Sequence, residues 1–84
     1  MSNVDLTSLQ PDKVVDARGM ACPGPLLEAK KAMGSVLVGK TIEIHSGDPS
    51  TKTDLPKWAT KVGHEFLGSL AEDGYDRMFI TRGK

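Results

Sequence analysis

One cysteine stands in this sequence, and its neighbours are those of a helix start: Cys22-Pro23-Gly24-Pro25 runs directly into the helical pattern of residues 26–33. Proline suits a first helical turn, where its missing N–H would have had no partner. The spacing therefore puts the thiol at the N-cap or one residue from it. Unpaired N–H groups at a helix start carry partial positive charge, which favours thiolate and lowers a cysteine pKa from its free value of ~8.5. Pro23 and Pro25 supply no donors, so the amides of Gly24 and Leu26 are expected to face the sulfur, and Gly24 leaves room for an approaching partner. The chemistry on offer is nucleophilic sulfur. Spacing alone supports equally well a small buried hydrophobe beside a rigid helix start.

Other constellations offer less. A dithiol couple needs a second cysteine. One Cys with His45 and His64 far apart has no ligand spacing, so neither a metal nor another cofactor is expected. Asp16 and Arg18 leave the first strand close to Cys22, where Arg18 either adds positive charge beside an anionic sulfur or forms a plain surface ion pair. Asp48, Thr51 and Asp54 are of the types that cap a helix and order its loop. Lys30, Lys31 and Lys52 are candidates for docking an acidic partner surface, against the ordinary reading as solvated lysines. Trp58 reads as core, and Met20 and Met33 as fillers of the core or the site rim. His64, following Gly63, is expected to serve the last carbonyls of its helix as a cation or donor. His45 ends the second strand, where it can border the site.

The elements that must position these residues follow from periodicity. Residues 13–17 are a short β-branched run ended by Arg18-Gly19. In residues 26–33, Leu26, Ala29 and Met33 make an apolar stripe with Leu27 at its edge, Lys30 and Lys31 suit the helix C-terminus, and Gly34 stops it. Residues 40–45 alternate around Ile42 and Ile44 between Gly39 and Gly47. The loop of residues 48–56 feeds a second helix running through Trp58, Ala59 and Val62 to Gly63. Pro56 fits only in a first turn, which sets the start near Thr53 or Asp54. Residues 65–70 and 77–81 form a hairpin about Glu72-Asp73-Gly74. This order predicts an α+β two-layer sandwich, β-α-β-α-β-β, with two helices on one face of a four-stranded mixed sheet. Residues 1–12, polar and closed by Pro11, read as a flexible leader, and residues 13–84 as one domain.

Composition narrows the partners. With 84 residues, 38% of them hydrophobic and 5% aromatic, one core of Val, Ile, Leu and Met must serve, with Trp58, Phe66, Tyr75 and Phe79 as its large pieces. Eleven basic and eleven acidic side chains cancel, so the summed charge steers the chain toward neither nucleic acid nor an anionic membrane; any such partner needs a local patch. No stretch approaches the ~20 apolar residues of a span, and residues 1–5 lack the marks of a signal peptide. A cytoplasmic location is expected, where thiols stay reduced.

Two motifs together carry a resemblance. Asp16-x-Arg18-Gly19-x-x-Cys22-Pro23-x-Pro25, then a helix and a strand, then Asp48-Pro49-x-Thr51-x-x-Asp54-Leu55-Pro56, resembles the TusA (SirA-like) sulfur-carrier family over about Val14 to Arg82. The resemblance implies a sulfurtransferase that acts as a protein-bound carrier. Cys22 would accept sulfane sulfur as a persulfide from a cysteine desulfurase or rhodanese-type donor. It would relay that sulfur to an acceptor such as a DsrE-like protein, for tRNA thiolation, cofactor synthesis or sulfur oxidation. Pro23, Gly24, Pro25, Asp16 and Arg18 would shape the site, and the loop bearing Asp48, Thr51, Lys52 and Asp54 would lie near Cys22 and contact partners. A monomer with no membrane or direct nucleic-acid partner is expected. A lone thiol suits a carrier, because a neighbouring thiol would discharge the cargo as a disulfide. The competing readings are a non-enzymatic protein- or RNA-binding regulatory module on the same fold, selenium handling, and one-cysteine redox sensing.

Overall fold

Six elements follow one another in the computed structural model, which describes residues 11–20 and 24–84: β1 (Lys13–Asp16), α1 (Gly24–Met33), β2 (Thr41–Ser46), α2 (Thr51–Val62), β3 (Glu65–Glu72) and β4 (Tyr75–Thr81). The sheet order is β1-β2-β4-β3. Each helix returns the chain antiparallel to the strand before it, so β1 pairs parallel with β2, Val15 opposite Ile44. β4 turns back from β3 and fills the slot between β3 and β2, antiparallel to both. The α+β architecture is the one that the periodicity predicts. Ahead of β1, Asp12 is tied to β2: its N–H donates to the Thr41 carbonyl at 2.8 Å, and its Oδ2 accepts from the Thr41 N–H at 3.0 Å.

Both helices cover one face of the sheet. Ile42 and Ile44 of β2 and Met78 and Ile80 of β4 are fully buried there against Ala29, Ala32 and Met33 of α1 and Leu55 and Ala59 of α2. Each large aliphatic side chain so buried contributes about 1.5–3 kcal/mol. Trp58 and Phe66 flank this core. Phe79 is also buried but belongs to the other face, opposite Glu43, with the Arg77 guanidinium 5.5 Å from its ring centre. Tyr75 shares that face by strand alternation. The four aromatics are thus divided between two faces instead of filling one core.

Three local expectations are corrected. Leu27 is 55% exposed, and Pro25 and Ala32 take its place in the buried line with Ala29 and Met33. At 3.6 residues per turn, Leu27 lies nearly opposite both Pro25 and Ala29. α2 starts at Thr51, not at Thr53 or Asp54, and Pro56 is its sixth residue. The opening turn is wound by bonds of three-residue spacing from Thr51, Lys52 and Thr53, and the first four-residue bond is Asp54 N–H to the Ser50 carbonyl at 2.9 Å. Pro56 therefore forfeits one helical bond, to the carbonyl of exposed Lys52. The hairpin is also tighter than expected: β3 and β4 extend until Glu72 faces Tyr75 around Asp73-Gly74.

Candidate functional site

Cys22 and Pro23 lie outside the described residues, so the site is built from what flanks them. After β1, Ala17, Arg18, Gly19 and Met20 make a tight turn, closed by the Met20 N–H donating to the Ala17 carbonyl at 3.1 Å, with Gly19 at φ 85°. Ala17 is fully buried and anchors that turn to the core. α1 begins at Gly24, and Pro25 is buried beneath it. A Cβ on Gly24 would sit 3.0 Å from the Met20 Cβ, so glycine is what lets Met20 close against the helix start. The first turn of α1 carries no acidic side chain, which leaves its N-terminal partial charge uncompensated by carboxylate.

Arg18 is held on two sides. Its Nε and Nη2 grip the Asp16 carboxylate at 2.8 and 2.9 Å, and its backbone N–H adds a third bond at 3.1 Å. Those bonds, side chain first, hold the Asp16 carboxyl far below the usual carboxylate range and raise Arg18. The guanidinium also lies 5.0 Å from the Tyr75 ring centre, and Tyr75 packs against the His45 ring at 5.4 Å. His45 bonds Glu43, which accepts from Arg77 Nε at 2.9 Å, and Arg77 Nη1 reaches Glu72 at 3.2 Å. Burial, the largest influence on Glu43, pushes its pKa up. The hydrogen bonds and charges of Arg77 and His45 outweigh it, so the carboxyl is lowered and stays ionised although Glu43 is only 4% exposed. A continuous polar line therefore crosses the helix-free face of the sheet and ends at Arg18, four residues before Cys22. His45 is a member of this line, between Tyr75 and Glu43. Sequence reasoning assigns Tyr75 to the core and misses Glu43 and Arg77; Glu43 and His45 share a polar i, i+2 alternation, but the Arg77 partner lies 34 residues from Glu43 and leaves no local signal.

The loop before α2 is ordered by its own side chains. Asp48 Oδ1 accepts from both the N–H and the hydroxyl of Ser50, at 3.0 and 2.8 Å. Thr51 is not a cap; its buried hydroxyl shares a 3.0 Å hydrogen bond with Ser46 at the end of β2, and Ser46 Oγ also accepts from the Asp48 N–H. Ser50 takes the N-cap position without a side-chain cap bond. Asp54 lies in the first turn of α2, where a carboxylate complements the helix dipole. Lys52 is directed to Asp76, 3.9 Å away. Gly47 approaches the Gly74 carbonyl, so this loop touches the β3–β4 turn.

Lys30 and Lys31 lie in the last turn of α1, away from this loop and from the Arg18 turn. His64 departs from its expected role. The backbone N–H of His64, not its ring, reaches the Ala59 carbonyl at 2.7 Å, beside Gly63 in a left-handed cap with φ 91°. The ring Nδ1 accepts from the Gly83 N–H at 3.0 Å. Burial first, then the Arg82 charge, lower the His64 pKa, which disfavours the cationic form.

The β-α-β-α-β-β order, with both helices on one face of a four-stranded mixed sheet, defines a small two-layer α+β protein. Residues 13–82 match the family model described as sulfurtransferase TusA, and the chain belongs to that family. It is 44% identical over 71 residues to a putative sulfur carrier protein of Archaeoglobus fulgidus, covering 84% of this chain and 97% of that one. It is 36% identical over 77 residues to the sulfur carrier protein TusA of Pseudomonas entomophila, covering 92% and 96%. Against the putative sulfur carrier protein YrkF of Bacillus subtilis the identity is 43% over 70 residues, 83% of this chain but only 38% of that protein. The crystal structure of a SirA-like protein from Desulfitobacterium hafniense superposes with a TM-score of 0.75 at 27% identity, covering 86% of this chain and 99% of that one.

Proposed function

We propose that this chain carries sulfane sulfur as a persulfide on Cys22, taking it from a donor protein and handing it to an acceptor. The observation that carries the reading is the Cys22-Pro23-Gly24-Pro25 entry into α1 within a chain matched to sulfurtransferase TusA over residues 13–82. Loading is thiolate attack: the Cys22 sulfur forms a bond to the terminal sulfur of the donor persulfide, the donor S–S bond breaks, and the donor cysteine leaves as thiolate. Unloading repeats the step, with an acceptor thiolate attacking the outer sulfur on Cys22. A helix start free of carboxylates favours the thiolate needed for the first step. The grip of Asp16 and Tyr75 on Arg18 holds a guanidinium on the turn that lies four residues before Cys22 in sequence.

Mass spectrometry after incubation with a persulfide-loaded cysteine desulfurase or rhodanese tests this directly. The wild-type chain gains one or more sulfur atoms that dithiothreitol removes, and Cys22→Ser gains none. Equal loading of the two proteins would exclude Cys22 as the carrier atom.

A further inference from the structure

The formal neutrality of the chain conceals a separation of charge. Because both helices run antiparallel to β1, β2 and β3, their C-terminal turns share one end of the molecule with the starts of those strands and the tail after β4. Six exposed lysines gather at that end: Lys13, Lys30, Lys31, Lys40, Lys61 and Lys84. None makes an ion pair among the described residues; the carboxylates near them are Asp12, Glu65 and Glu28, which lines a cleft with Lys13 and Lys31. Among these lysines projects a turn carrying Leu37, 74% exposed, and Val38, 61% exposed. The turn is pinned: the Lys40 N–H donates to the Leu37 carbonyl at 3.0 Å, the Gly39 N–H to the Arg82 carbonyl at 2.8 Å, and the Arg82 N–H to the Lys40 carbonyl at 2.8 Å. The Arg82 guanidinium bonds the Met33, Val36 and Lys84 carbonyls. A cleft of about 210 Å³ opens beside it between Lys30 and Lys84, with Trp58 in its wall.

We propose that this end docks on an anionic lipid bilayer, with Leu37 and Val38 entering the headgroup boundary and the surrounding lysines meeting lipid phosphates. Two adjacent aliphatic side chains on a fixed tip, ringed by lysines, are the combination that an interfacial contact uses. Protein interfaces are depleted in lysine and enriched in aromatics and arginine, and the one arginine here is occupied by backbone carbonyls. An RNA site would expose aromatic stacking surfaces, and the tip exposes none. No helix among the described residues is long and apolar enough to cross a membrane, so the contact is peripheral. The Gly24 end of α1, which Cys22 precedes in sequence, points away from the bilayer and stays accessible to soluble partners.

Flotation of the full chain with vesicles of phosphatidylglycerol and phosphatidylcholine, against phosphatidylcholine alone, tests the proposal. The chain floats with the anionic vesicles only. Each lysine near such a surface is worth about fivefold in partitioning, so Lys31→Glu with Lys40→Glu lowers it by about 25-fold or more. Leu37→Ser with Val38→Ser lowers it about tenfold. Lys57→Glu, in the middle of α2, leaves it unchanged, and thermal melts matching wild type separate lost binding from lost folding. Failure to float with the anionic vesicles overturns the proposal. So does flotation indifferent to Leu37→Ser with Val38→Ser, since that is the behaviour of a general polyanion site for RNA or an acidic protein.

Discussion

Where β1, β2 and β3 end, carboxylates meet partners at bonding distance: Asp16 holds Arg18, Asp48 holds Ser50, and Glu72 reaches Arg77, which also holds Glu43 within β2. Where those strands begin, the lysines meet none among the described residues. The first end spends its charge inside the molecule, on the Arg18 turn, the loop before α2 and the Glu43–Arg77–Glu72 chain across the sheet. At the second end, the helix C-terminal turns are complemented by Lys30, Lys31 and Lys61 at no geometric cost, and the ammonium groups remain available to solvent or a partner. Charge at one end organises local structure; charge at the other is surface.

That contrast is breakable by substitution. Arg77→Ala leaves Glu43 buried with only His45 beside it, and a cost of about 2 kcal/mol is expected, a fall of roughly 8–16 °C in Tm. The pH dependence has a definite sign. Glu43 is lowered in the fold, so its contribution is fully present above its ordinary pKa of 4.5 and is lost as pH falls through its folded value. Urea midpoints of wild type and Arg77→Ala should therefore differ at pH 7 and converge in acid; a constant difference would deny that the ionised carboxylate is what Arg77 serves.

A smaller loss, about 1 kcal/mol, is expected for Asp48→Ala, which frees the Ser50 N–H and hydroxyl at the entry to α2. Hydrogen exchange should quicken over residues 47–53 and not over α1. The smallest effect belongs to the other end. Lys40→Ala and Lys61→Ala should each leave stability within about 0.5 kcal/mol of wild type by urea titration. A loss there as large as that of Asp48→Ala would show that the lysines are structural, and the contrast between the two ends would fail.

Short-range pattern carried much of the molecule. Alternation around Ile42 and Ile44, the stops at Gly34 and Gly63 and the Asp73-Gly74 turn made six elements and their order legible, because each is decided by side-chain periodicity and backbone conformation within a few residues. The start of α1 at Gly24, directly after the Cys22-Pro23 pair in sequence, follows from equally local rules. Where local rules were ambiguous, tertiary structure chose among options of similar local cost, starting α2 at Thr51 and turning Leu27 outward. The bond between Ser46 and Thr51 that ties the loop to β2, and the grip of Arg77 on Glu43, join residues whose pairing depends on how the sheet is assembled. A sum over the sequence could only report zero net charge. Gathering lysines from five separated segments at one end required the antiparallel return of both helices, a long-range geometric fact that composition and periodicity do not contain.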